Sequence, residues 1–282
     1  MKFFKPVLIS LGVIVFFCTK NPLFKDKEIT GNAVKGKVAL EGRQSAENVF
    51  VWLEGYNVGT FTGQNGAFQL DLSTSSQSSG GMSGQYKLFF YVNNYQLDSA
   101  SVVLVNGNIQ ASTGDLDNNG ALKQTVLLNK ALDIDVEVTP AALYTSFSDS
   151  LHITVTLQAY PDSVLITSKI RDALYLAAVF IRQSGNNENI RLVDQGGALY
   201  TKIPIYKEYK VPNYKRQYFM TIPFDAKEYS AGEVEIIPYI LVTPVKLPAG
   251  LLRNLTRNYQ ELNTDFLNIP IVRSGGVIRI GE

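Results

Sequence analysis

NVFVWLEG, residues 48–55, and GTFTGQNGAFQLDL, residues 59–72, decide the fold class. In the first segment Val49, Val51 and Leu53 share one parity while Phe50, Trp52 and Glu54 share the other, the period-two pattern of a β-strand. In the second, Phe68, Leu70 and Leu72 repeat that period after Asn65-Gly66, a dipeptide that makes tight turns because both positions tolerate positive φ. Strand, turn and strand in so short a span imply antiparallel β-structure.

The same period extends outward in both directions. Val34, Val38 and Leu40 alternate with Lys35, Lys37 and Glu41, and in YKLFFYV, residues 86–92, Tyr86, Leu88 and Phe90 point one way and Phe89 and Tyr91 the other. Further strands are expected near 100–105 and in LKQTVLL, residues 122–128, while STSSQSSGGMSG, residues 73–84, reads as a low-complexity surface loop. Taken together, VKGKVALEG, NVFVWLEG, GTFTGQNGAFQLDL and YKLFFYV resemble the carboxypeptidase regulatory-like domain. That resemblance is carried by Gly36, Gly55, Gly59, Thr60, Thr62, Gly66 and Phe68, and covers about residues 34–129. It implies a small transthyretin-like β-sandwich acting as an accessory module without an active site. Some relatives with this fold bind carbohydrate.

Alternation restarts at LDIDVEVTP, residues 132–140, where Leu132, Ile134, Val136 and Val138 oppose Asp133, Asp135 and Glu137. LHITVTL, residues 151–157, puts Leu151, Ile153, Val155 and Leu157 inside and His152 outside. The continuous apolar run ALYLAAVFI, residues 173–181, reads as a strand whose hairpin partner is IRLVD, residues 190–194. YFMTIPF and EVEIIPYILV supply more strands around Gly232. Leu251, Leu255, Tyr259 and Leu262 recur at helical spacing, which predicts a helix near 249–263, and the tail is expected to close as a hairpin around Gly275-Gly276. The expected architecture is all-β: a transthyretin-like sandwich over 34–130, then an immunoglobulin-like one with a short helical insertion over 131–282.

The amino terminus reads as an address. Lys2 and Lys5 precede an uncharged run from Pro6 to Phe17, the anatomy of a signal peptide over residues 1–17. The uncharged run before Lys20 is shorter than the ~20 residues of a spanning helix. Cys18, the only cysteine, follows directly and resembles the acylated cysteine of bacterial lipoproteins. Lipid on Cys18 would hold the chain on a membrane, at the outer membrane or cell surface, with residues 18–33 as a tether spanning on the order of 20 Å. Loss of Lys2 and Lys5 with the leader leaves a nearly neutral chain, which argues against nucleic acid as a partner. No second cysteine exists for a disulfide, and one histidine excludes His-cluster metal sites.

Few side chains suggest chemistry. His152 sits in mid-strand on the outward parity with no nucleophile motif to serve, and Asp133, Asp135 and Glu137 form the polar face of a strand. Asp115, Asp117 and Asn119, ahead of Gly120, match the opening of a calcium loop, but Val126 stands where the closing glutamate belongs; turn chemistry uses the same residues. From Lys202 to Tyr218, lysines and Arg216 alternate with tyrosines, a pattern that fits either an anionic polymer or a lysine-protected edge hairpin. Phe50, Trp52, Phe89 and Tyr91 lie on the non-core face of their strands. They form either a stacking platform for a sugar or partner protein, or a surface that the second domain or the tether covers. The expected function is a non-catalytic envelope module that binds or adheres, with carbohydrate or another envelope protein as partner. A structural scaffold is the alternative, and an unassigned enzyme the weakest reading.

Overall fold

The computed structural model describes residues 33–72, 83–110, 113–171, 173–184, 190–196, 205–243, 247–256, 258 and 261–281. The expected leader, Cys18 and the tether up to residue 32 lie outside the described residues, as does most of the low-complexity loop.

The first half contains β1 (Ala33–Leu40), β2 (Phe50–Leu53), β3 (Val58–Phe61), β4 (Ala67–Asp71), β5 (Gly84–Tyr91), β6 (Asp98–Val105), β7 (Asn108–Ile109) and β8 (Val126–Leu128). They form a three-stranded sheet, β4-β1-β8, facing a five-stranded sheet, β3-β2-β5-β6-β7. The inward parity expected from sequence fills the space between them: Val34, Val38, Val51, Leu53, Phe68, Leu88 and Phe90 belong to one buried cluster. Asn65-Gly66 does turn the chain, with the Asn65 side chain accepting from the Ala67 N–H at 3.0 Å. It joins β3 and β4, which belong to different sheets, so the turn is an arch across the sandwich and closes no hairpin.

The second half contains β9 (Leu132–Thr139), β10 (Ala142–Tyr144), β11 (Ser148–Ala159), β12 (Val164–Arg171), β13 (Tyr175–Leu176), β14 (Ala178–Gln183), β15 (Ile190–Asp194), β16 (Ile205–Val211), β17 (Arg216–Asp225), β18 (Gly232–Pro238), β19 (Leu241–Val242), α1 (Leu251–Leu255), β20 (Ser274–Gly275) and β21 (Val277–Gly281). One sheet runs β10-β21-β18-β14-β15, the other β16-β12-β13-β17-β11-β9-β20 with β19 alongside β12. Leu132, Ile134, Leu151, Ile153, Val155 and Leu157 pack between them as the alternation requires. The apolar run at 173–181 is not one strand: after a turn at Ala173, with φ 58, it divides into β13 of one sheet and β14 of the other, broken at Ala177. The expected partner holds, since β14 pairs antiparallel with β15, Ala178 opposite Asp194. Among the described residues, the strand pairings stay within one half or the other.

Three further expectations change. The helix near 249–263 contracts to α1, because Thr256 is already extended (φ −157, ψ 148), and the N-cap residue, Gly250, has no side chain to accept from the first turn. So short a helix does not hold itself together in water; its stability comes from burying Leu251 and Leu252. Tyr259 lies outside the described residues, and the chain continues as a 3-10 turn over Thr264–Asn268, whose first turn Asn263 caps by accepting from the Asp265 N–H at 2.8 Å. The tail forms no hairpin either. Gly275 (φ 68) and Gly276 (φ 75) carry the chain from β9 of one sheet to β18 of the other. The Gly276 N–H donates to Val136 O at 2.8 Å and its carbonyl accepts from Ile236 at 2.7 Å. A Cβ on Gly275 would sit 2.2 Å from Val136 O, so the crossing admits only glycine. Finally, the basic aromatic stretch is no edge hairpin: β16 is an edge strand paired with β12, whereas β17 is interior and buries Tyr218. Arg216 lies over the rings of Tyr209 and Tyr218, at 5.3 and 5.9 Å, and so serves their packing.

Candidate functional site

The four rings set apart by parity are neighbours. β2 and β5 pair antiparallel, with Phe50 opposite Tyr91 and Trp52 opposite Phe89, and the Trp52 and Phe89 rings stack at 6.0 Å with planes 27° apart. They do point away from the first core. They are not open to solvent, however: Phe50 is 4% exposed, Trp52 2%, Phe89 8% and Tyr91 1%. The second half covers them with Ala178 and Phe180 of β14, Ile237 of β18, Tyr239, and Leu251 and Leu252 of α1. The Phe266 ring joins this layer, stacked on Phe180 at 5.7 Å and edge-on to Tyr239 at 4.9 Å. Gly250 lies so close to the indole that a Cβ there would come within 2.8 Å of Trp52 Cζ2. Of the two readings of Phe50, Trp52, Phe89 and Tyr91, the open platform is therefore corrected, and the surface covered by the second half, an internal joint, is the one the structure has. The reason is area: aromatic rings bury roughly 150–250 Å² each, at ~25 cal/mol per Å², so leaving them in water costs several kcal/mol.

Polar groups stitch the same joint. Asn93 and Asn94 follow β5 and are almost fully buried. Asn93 Nδ2 donates to Ile240 O at 3.1 Å and its Oδ1 accepts from the Val242 N–H at 3.0 Å, while its own N–H donates to Pro270 O at 2.8 Å. Asn94 Nδ2 donates to Leu132 O at 2.9 Å and Val272 O at 2.8 Å, and its Oδ1 accepts from the Val272 N–H at 2.9 Å. Each amide thus stands in for a strand edge and satisfies backbone groups of the second half. The Tyr91 hydroxyl donates to Asn93 Oδ1 at 3.4 Å, and burial pushes its phenol far above the ordinary value. Sequence reading passed over this pair, since adjacent asparagines after a strand look like ordinary turn residues.

At the rim of the joint the two halves leave a groove of about 680 Å³, walled by Asn48, Phe61, Arg182, Asn254, Asn268 and Arg273 among others. Phe61 is 46% exposed and leans on Phe50, ring centres 5.1 Å apart. Behind the wall, Glu235 Oε2 accepts from Arg182 Nη2 at 2.9 Å and from Arg273 Nη2 at 2.7 Å. Burial alone would raise the Glu235 carboxyl, but the two guanidiniums hold it below the usual glutamate value.

The remaining candidates do local work. His152 is exposed, with Nδ1 3.2 Å from Thr221 Oγ1, and Asp133 pairs with Lys130 at 3.0 Å. In the loop read as calcium-like, Asp115 accepts from the Ser101 N–H at 2.7 Å. Asp117 accepts from the N–H groups of Ala121 at 2.9 Å and Asn119 at 2.7 Å, which hold its carboxyl below the usual value. Asn119 takes part through its backbone. Among the described residues no three His, Cys, Asp or Glu converge on a metal site.

No family model matches the chain, and no curated protein matches it. Among solved structures it is similar to BcpA, the major pilin subunit of Bacillus cereus, in two crystal structures. One matches at 13% identity and TM-score 0.24, covering 74% of this chain and 68% of the pilin, the other at 13% and 0.22, covering 75% and 66%. The Bacillus anthracis TIE protein matches at 8% identity and TM-score 0.23, covering 77% of this chain and 48% of its own. With TM-scores this low, the fold rests on the strand order given above.

Proposed function

We propose that this chain is a non-catalytic module of the cell envelope, exported and held to a membrane by lipid on Cys18, that keeps two β-sandwiches in one fixed arrangement as a scaffold or adhesion unit. In this reading the first half is a carboxypeptidase regulatory-like sandwich used as an accessory. The observation that supports it is the joint: the aromatic face of the first half is spent on the second half, with Asn93 and Asn94 bonded across it. A surface module that must hold its outward faces at a set spacing needs such a joint; a free linker would serve two independent binders better. The test places spin labels at Lys37→Cys and His152→Cys, both exposed strand positions in different halves, in a Cys18→Ser background. One narrow label-to-label distance is expected; a broad distribution overturns the scaffold reading. For the anchor, Cys18→Ser should leave the membrane fraction and lose fatty-acid labelling, and unchanged labelling overturns it.

A further inference from the structure

We infer that the free edge of β3 takes up an extended peptide segment of another protein as an added strand, lying along the groove at the rim of the joint with alternate apolar side chains beside Phe61. β3 ends the order β3-β2-β5-β6-β7, so one side of it has no strand partner. An antiparallel ladder alternates pairs that exchange hydrogen bonds with pairs that do not. The Thr62 N–H donates to Val49 O at 3.0 Å, which continues the ladder and turns the backbone groups of Thr60 and Thr62 toward β2. The Glu54 N–H donates to Lys87 O at 3.0 Å, so Phe50 and Trp52 turn theirs toward β5. Gly59 and Phe61, opposite Trp52 and Phe50, therefore point their N–H and C=O groups away from the sheet, and no described residue bonds them there. Both are exposed, and Gly59 has only backbone to expose. Donors and acceptors at every second residue of a strand are what another extended backbone satisfies.

The surroundings of this edge select the kind of segment. Edge strands are commonly guarded by charge or proline. VGTF carries neither, whereas β15 carries Arg191 and Asp194, and β16 carries Lys207, Glu208 and Lys210. Gly59 and Phe61 line the groove of about 680 Å³, and Asn254, Leu255 and Asn268 of the second half stand across it. The Phe61 ring leans on Phe50, ring centres 5.1 Å apart, so the aromatic layer of the joint continues into the groove. An added strand would set one parity of side chains on that layer, and the other beside Thr60 and Gln69 in the seam between β3 and β4. The fitting partner is thus a segment that alternates apolar and polar residues. The far wall belongs to the second half, so the inference rests on the fixed joint proposed above.

Amide hydrogen exchange, read by NMR on the full chain carrying Cys18→Ser, tests it with an end-blocked octapeptide that alternates valine and threonine. Without peptide, the Gly59 and Phe61 amides should exchange at least about tenfold faster than those of Thr60 and Thr62, and saturating peptide should slow them, with a Kd below ~1 mM. N-methylation of one alternate set of peptide residues should abolish binding while methylation of the other set leaves it, because only one set faces β3. Phe61→Pro, at an edge position that admits proline, removes an outward N–H and should abolish binding, whereas Phe61→Ala keeps the N–H and should weaken binding only about tenfold. Melts are recorded for both, and the methylated peptides decide if the proline variant unfolds. Amides that stay fast with peptide, equal binding of the two methylated peptides, or no binding at ~1 mM peptide overturns the inference. So does protection of Gly59 and Phe61 that grows with protein concentration alone, which would make a second copy the occupant. A narrow label-to-label distance together with no peptide binding would overturn the edge site and leave the scaffold standing.

Discussion

The five-stranded sheet of the first half and the larger sheet of the second half share one design on their inner faces and part on their outer ones. In β9, LDIDVEVT alternates between buried apolar residues and half-exposed or exposed acids, and its outer face meets water. In β2, FVWL is buried at all four positions. Antiparallel sheets can leave one face solvated, so a strand that is apolar on both parities signals a second layer. The second half holds the matching piece. Val179 and Ile181 of β14 enter its own core, while Ala178 and Phe180 of the same strand meet the rings of β2 and β5. Two continuous apolar runs, far apart in sequence, are the two sides of one joint.

That contrast can be broken most directly at its largest side chain. Trp52→Ala should cost about 3–5 kcal/mol in urea unfolding, the range for a large buried aromatic, whereas Phe219→Ala on the outer face of β17 should stay within about 0.5 kcal/mol. A Trp52 loss under ~1 kcal/mol would place both faces in the same class. The next effect belongs to the polar seam. Asn93→Ala leaves the Val242 N–H and Ile240 carbonyl dry, and should cost roughly 2–6 kcal/mol at ~1–3 per orphaned group. A near-neutral result would mean that water reaches the joint.

A smaller effect depends on pH. The folded Glu235 carboxyl lies below its unfolded value, so the stability it lends is present above the ordinary glutamate pKa of ~4.3 and fades as pH falls through the folded value. Glu235→Gln should therefore flatten the fall of Tm on acidification below about pH 4.5. An unchanged slope would mean that the pair of arginines does not hold the carboxylate.

Much of this was legible in the sequence, for reasons that also mark where legibility stopped. Strict alternation located both inner faces correctly, from Val34 in β1 to Leu157 in β11, because a strand has only two faces and one must be dry. The same parity separated Phe50, Trp52, Phe89 and Tyr91 from the core. What covers them depends on a contact between distant segments, Phe180 and Leu251 above all, that no local period encodes. Asn93 and Asn94 were invisible for a related reason: their partners, Ile240 and Val272, lie more than a hundred positions away. The helix and tail failed locally instead. Leucine spacing around residue 251 implied several turns where Thr256 ends them, and Gly275-Gly276 crosses between sheets where two glycines usually mark a hairpin.

Trp52 is the only tryptophan, so its fluorescence in the intact chain reports on the joint without interference. If the second half seals the aromatic face, emission will be blue-shifted and iodide will hardly quench it under native conditions, with both properties lost in a single step on unfolding. Red-shifted emission that iodide quenches freely in the native protein would show the rings open to water and contradict the account.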